Sequence, residues 1–236
     1  MSPIRAAGEL HSLRRPRTGV LSRPPMFCLR VPTDPSWAKE AVGNLDAVLV
    51  DHAHCEMKAA NNALSLVLRH PGDLSLVRAL TDLAREELDH FRRVVAFLER
   101  RGLELGSPPI DSYAGELRKA MSLLPHANVP PLTDRLLVGA LIEARSCERF
   151  KLLLDALPPE TSTELRVFYE ELFACEARHY RMYVDLARDA LRSHWKGADE
   201  REIDSMVQGR LAFLADAEGR IVQVLAARDH RATVHG

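Results

Sequence analysis

An all-α fold is predicted, a four-helix bundle with a long crossover between two helix pairs. Three observations lead there. Glu87-Leu-Asp-His90 and Glu176-Ala-Arg-His179 each set a glutamate and a histidine three residues apart, so both side chains project from one helix face. Each pair follows, by about thirty residues, a lone glutamate in an apolar helical stretch: Glu56 for the first, Glu143 or Glu148 for the second. A stretch rich in Pro, Gly and Ser, residues 102–131, separates the two halves. One inward glutamate from each of two helices and one Glu-x-x-His from each of two others is the ferritin-like, two-metal layout.

The elements follow in order. Residues 1–26 carry Arg5, Arg14, Arg15, Arg17 and Arg23 against the single acid Glu9, with four prolines and no period, and are expected to form a basic, disordered arm. The bundle domain is expected over 27–229. Pro32-Thr-Asp-Pro35 makes a turn and a short helix runs to about Val42. Asn44 is expected to cap a long helix from Leu45 to about Leu68, closed by Pro71-Gly72, and Asp73 to cap the next, which stops at Gly102. A short helix is expected at 113–123 within the crossover. Long helices follow at about 133–156 and 162–193, an amphipathic one at 199–228, and a frayed tail at 230–236.

Composition agrees and excludes alternatives. Of 236 residues, 46% are apolar and only 6% aromatic, with Leu, Ala, Arg and Glu prominent, a mix that favours helix. The formal net charge of −1 excludes a polybasic binder, so any RNA contact is local. Cys28, Cys55, Cys147 and Cys175 form no CxxC pair, which removes zinc-ribbon and rubredoxin-type sites. Free thiols, no 18-residue apolar run and no secretory h-region lead to the expectation of a cytoplasmic protein.

One Glu-x-x-His is expected by chance in such a chain, so context carries the reading. Around Glu87, one and two turns away, stand Leu80, Leu83, Ala84, Phe91 and Val94; around Glu176, Tyr169, Leu172, Phe173, Tyr180 and Tyr183; around Glu56, Leu49, Ala53, Ala59, Ala60 and Ala63. Carboxylates on apolar faces need a partner to stay ionised, and a metal ion is one. The separations are 31 residues for Glu56–Glu87, 33 for Glu143–Glu176 and 28 for Glu148–Glu176, so spacing favours Glu143. Oxygen-rich ligands with two imidazoles suit iron or manganese better than zinc or copper. By contrast, Glu86 shares a solvated stripe with Asp82, Asp89 and Arg93. His52, one turn before Glu56, could support that carboxylate or add a ligand and is read as doing neither; Asp51-x-x-His54 repeats the motif with Asp on a different face and is read as incidental. Alanines beside Glu56 leave room for a substrate or serve close packing, and the tyrosines carry electrons, gate access or simply fill the core.

The segments Val31-Pro-Thr-Asp-Pro-Ser-Trp37, Asp51-His-Ala-His-Cys-Glu-Met-Lys-Ala-Ala60, Ala84-Arg-Glu-Glu-Leu-Asp-His-Phe91, Gly139-Ala-Leu-Ile-Glu-Ala-Arg-Ser-Cys-Glu-Arg-Phe150 and Glu176-Ala-Arg-His-Tyr180 resemble the MiaE family of tRNA hydroxylases, over about residues 27–195. The resemblance implies a ferritin-like fold and a non-haem di-iron monooxygenase. It implies hydroxylation of the isopentenyl group of the modified adenosine next to the tRNA anticodon, with O2 as co-substrate and electrons from a reductase- or ferredoxin-type partner. Glu56, Glu87, His90, Glu143, Glu176 and His179 match the family's ligands to two Fe ions. Phosphate contacts would fall to Arg92-Arg93, Arg100-Arg101, Arg118-Lys119 or the N-terminal arginines. The competing readings are an iron-storage protein, expected as a large hollow shell, and a peroxidase; the hydroxylase is expected as a monomer or small oligomer.

Overall fold

A computed structural model describes residues 26–123, 129–228 and 233–234; the N-terminal arginines lie outside them. The helices are α1 (Ser36–Gly43), α2 (Leu45–Arg69), α3 (Leu74–Arg101), α4 (Ser112–Leu123), α5 (Pro131–Ala156), α6 (Thr163–His194) and α7 (Glu200–Arg228), with no strand among the described residues. Local chemistry sets their ends. Asp73 accepts from the amide of Leu76 and starts α3, while Gly102, at φ 66°, ends it and lets the Leu103 amide reach the Leu98 carbonyl. Pro131 opens α5, and Ser162 caps α6 by accepting from Leu165. Asn44 departs from expectation: its amide donates to the Glu40 carbonyl, closing α1 rather than capping α2.

Two antiparallel hairpins, α2–α3 and α5–α6, make the four-helix core, with α4 in the crossover and α7 laid against α4, α5 and α6. The apolar interior divides into two clusters. One gathers Leu66, Leu76, Leu80, Leu83, Leu136, Leu141 and Tyr183; the other gathers Leu49, Val94, Phe97, Phe150, Phe168, Tyr169 and Leu172. Each of α2, α3, α5 and α6 contributes to both, and its inward glutamate lies at the changeover: Glu56 between Ala53 and Ala60, Glu87 between Ala84 and Val94, Glu143 between Leu141 and Phe150, Glu176 between Leu172 and Tyr183. Four buried carboxylates therefore share one level of the bundle.

Close approach of α5 and α6 depends on Gly139, where a Cβ would stand 2.8 Å from Cε1 of Tyr183. The outer layer is tied down by Arg145, which is fully buried. It donates to Glu218 on α7, to Glu148, to the Thr33 hydroxyl and to the Val31 carbonyl, while Tyr113 on α4 also donates to Glu218. Arg210 makes a two-pronged bond to Asp134, 2.7 Å on each side. Two departures concern the ends of the domain. Met26, placed in the arm, packs against the core. Thr233 and Val234, placed in a frayed tail, fold back onto the bundle: the Thr233 carbonyl accepts from Trp37 and Arg149, and the Val234 amide donates to Asp51. The remaining tail residues lie outside the described set.

Candidate metal centre

Glu56 from α2, Glu87 and His90 from α3, Glu143 from α5, and Glu176 and His179 from α6 meet inside the bundle, all buried. Their donor atoms form two overlapping groups, Glu56–Glu87–His90–Glu176 and Glu87–Glu143–Glu176–His179, each with its atoms within 4.8 Å of one another. Glu87 and Glu176 belong to both. Two four-donor groups that share two carboxylates could hold a pair of cations.

The side chains fit such ions better than they fit each other. Nδ1 of His179 lies 2.9 Å from Oε1 of Glu87, yet these two buried atoms and Oε2 of Glu176 make no hydrogen bond. Buried polar atoms without partners are rare in folded proteins, and three converging on one point mark a place for a cation. Charge agrees. Burial, then the facing Glu176 carboxylate, pushes Glu143 well above the usual carboxylate range, so without an ion the pair holds a proton. For Glu56, burial works against ionisation, but hydrogen bonds from His52 and His90 outweigh it and hold the carboxyl low.

A supporting ring surrounds the donors. Nε2 of His52 donates to Glu56 at 2.6 Å, and its Nδ1 accepts from the Tyr169 hydroxyl at 3.3 Å. Tyr169 and His52 thus act on Glu56 in series, contrary to the reading of His52 as uninvolved; its four-residue spacing from Glu56 was the available signal. Glu86 is the second departure. It leaves the solvated stripe to accept from Nε2 of His179 at 3.2 Å, beside the Cys175 thiol, which turns Nδ1 inward. Nothing in the sequence marks Glu86, because its partner stands on another helix.

Other candidates fall elsewhere. The Oε2 atom of Glu148 accepts from Thr33 and Arg145, away from the cluster. Asp51 accepts the Val234 amide and His54 meets the Leu105 carbonyl. Tyr180 stacks on Phe27 at 4.4 Å between centroids, and Tyr183 fills the core. Of the basic pairs, Arg92 meets Asp89, Arg93 meets Glu171, Arg100 meets Glu164, Arg101 meets Asp46 and Lys119 meets Glu116. Of the alanines beside Glu56, Ala59 lines a cavity next to the cluster; Ala53, Ala60 and Ala63 are core. That cavity is walled by His52, Glu56, Glu87, Glu143, Glu176 and Phe150 and, from beyond the last helix, by Val234. Its volume is about 10 Å3, room for a single water.

A helical bundle that turns one glutamate inward from each of two helices, and a Glu-x-x-His pair from each of the other two, is a ferritin-like carboxylate protein. Comparison with known proteins narrows the class. A family model described as tRNA-(MS[2]IO[6]A)-hydroxylase (MiaE) matches residues 21–231. The tRNA 2-(methylsulfanyl)-N(6)-isopentenyladenosine(37) hydroxylase of Pseudomonas putida is 43% identical over 162 residues, covering 68% of this chain and 75% of that one. The Salmonella typhimurium protein of the same name is 32% identical, covering 70% and 77%. Among solved structures, protein 43 with aldehyde deformylating oxygenase activity from Synechococcus superposes with a TM-score of 0.74 at 33% identity, over 89% of this chain and 96% of that one. The chain belongs to the MiaE family.

Proposed function

We propose that this chain is a non-haem di-iron monooxygenase that hydroxylates the isopentenyl group of the modified adenosine next to the tRNA anticodon. Glu56, Glu87, His90, Glu143, Glu176 and His179 would hold the two irons, with Glu87 and Glu176 shared. The observation that carries this reading is that sharing, in a chain whose relatives are named for hydroxylating this nucleoside. The ions would supply the activation of O2: one oxygen atom enters a C–H bond of the side chain, the other leaves as water, and two electrons and two protons come from outside.

The protein's part is to hold, orient and dry the site. His52 and Tyr169 fix Glu56, and Glu86 fixes the inward tautomer of His179. Phe150 and Ala59 give the cavity apolar walls suited to a hydrocarbon chain. The electrons are assigned to a separate reductase- or ferredoxin-type protein, since the donors are carboxylate and imidazole and carry no redox group of their own. No helix among the described residues is long and apolar enough to cross a membrane, and a tRNA substrate suits a cytoplasmic protein acting as a monomer or small oligomer. Mass spectrometry of tRNA nucleosides from cells with and without the gene tests the reading. The hydroxylated nucleoside should vanish and its unhydroxylated precursor accumulate when the gene is absent; an unchanged pattern rejects it.

A further inference from the structure

We propose that Thr233 and Val234 occupy the subsite of the substrate's modified base, and that the segment leaves when the nucleotide enters. On this view the Val234 side chain stands where the branched end of the isopentenyl chain binds, and Asp51, Trp37 and Arg149 pass from the segment to the nucleotide. This rests on the hydroxylase reading above.

Space makes the first argument. The cavity beside the carboxylates has room for a single water, whereas a five-carbon chain needs several times the space of one water. Some wall must move. His52, Cys55, Glu56 and Ala59 stand on α2, Glu87 on α3, Ile142, Glu143, Ser146 and Phe150 on α5, and Glu176 on α6. Val234 alone lies beyond the last helix, and it is 2% exposed.

The way the segment is held makes the second. Among the described residues its backbone bonds to side chains and not to a strand or helix: the Val234 amide to Asp51 at 2.6 Å, the Thr233 carbonyl to Trp37 Nε1 and Arg149 Nη1, each at 3.0 Å. The substrate offers the same pattern. In valine the N–H nitrogen is two bonds from the branched carbon; in an N6-isopentenyl adenine the N6–H nitrogen is three bonds from it. One carboxylate, Asp51, can therefore hold either N–H while a dimethyl-branched carbon fills the cavity.

Arg149 makes the third. It is buried, its Nε has no partner, and a neutral carbonyl is its one hydrogen-bond acceptor among the described residues. Burial, then the neighbouring Arg145 charge, pushes its pKa down to about 10. A buried cation held by a single neutral acceptor is poised for an anion, and RNA brings a phosphate. Arg149 also lies over the Trp37 ring, 5.5 Å from its centroid, so withdrawal of the segment bares an aromatic face beside a guanidinium, the pairing that holds an unstacked base.

The test compares two anticodon stem-loop RNAs, one carrying the methylthio-isopentenyl adenosine and one plain adenosine, binding to iron-loaded protein without oxygen. Removing residues 233–236 should tighten binding of the prenylated RNA about tenfold and that of the plain RNA by a clearly smaller factor, through the freed Arg149 and Trp37. Val234→Gly, which keeps the chain whole, should shift binding the same way by a smaller factor. In the shortened protein, Arg149→Met should weaken both RNAs. An equal change for both RNAs on shortening, or weaker binding of the prenylated one, overturns the proposal. If the full-length protein does not hydroxylate the prenylated RNA at all, the functional reading falls and this falls with it. If it does, and shortening brings no prenyl-dependent gain, only the role of the segment is rejected.

Discussion

Glu86 accepts from the outer nitrogen of His179 at 3.2 Å, while the inner nitrogen of the same ring lies 2.9 Å from Glu87. One imidazole thus links a half-exposed carboxylate on α3 to the buried cluster, and the outer bond decides which nitrogen is free to ligate. Glu86→Gln keeps the shape and removes the charge that favours this tautomer. Ferrous iron titration should show affinity weakened about 10–100-fold with helical content unchanged; equal affinity would mean that Glu86 does not orient the ring.

Glu143 stands in the carboxylate cluster and Glu148 outside it. Glu143→Ala should lose the metal and fold normally. Glu148→Ala should keep the metal yet lose about 1–3 kcal/mol of stability, because Thr33 loses the acceptor of its amide and hydroxyl and Arg145 loses one of its several. Metal analysis and thermal melts on the two variants decide it. Metal loss in the second and retention in the first would reverse the assignment.

Iron uptake should release protons. Burial and Glu176 keep a proton on Glu143 in the empty cluster. For His90 and His179, burial opposes charge, but Cys175 and the surrounding carboxylates outweigh it and raise the pKa of both rings. Ligation needs the carboxylate and the neutral imidazole, so protons compete with iron and affinity falls on acidification. Titrations between about pH 8 and about pH 6 should show this decline, with acid released into weakly buffered solution on loading. A pH-independent affinity would contradict the charge state described for the empty site.

Packing at Gly139 is tight enough to predict a cost. Gly139→Ala places a Cβ 2.8 Å from the Tyr183 ring, one turn from Glu143. It should destabilise the protein by about 1–3 kcal/mol, and Tyr183→Leu in the same chain should recover part of the loss. A melting temperature unchanged by Gly139→Ala would show that α5 and α6 can separate freely there.

Much of this was readable from periodicity. The helix faces around Glu87 and Glu176 are apolar every third or fourth residue, and those faces are the ones turned inward. Hairpin spacing placed Glu143 rather than Glu148 at the level of the other inward glutamates, because side chains at one level lie about equally far along paired helices. What escaped depends on contacts between elements. Glu86 lies on the polar side of α3 and gains its role from the position of α6. His52 looked like any core histidine until Tyr169 arrived from 117 residues away. Val234, beyond the last helix, belongs to no period at all, and only the folded chain brings it to the cavity.

Transfer of an oxygen atom from O2 to a prenylated adenosine at this cluster can be followed directly. Iron-loaded, chemically reduced protein should be mixed with the prenylated stem-loop under heavy-isotope O2, and the nucleoside weighed by mass spectrometry. One heavy oxygen atom in the side chain, absent in Glu176→Ala, is the result predicted. An unmodified nucleoside, or a hydroxyl drawn from water, would contradict it.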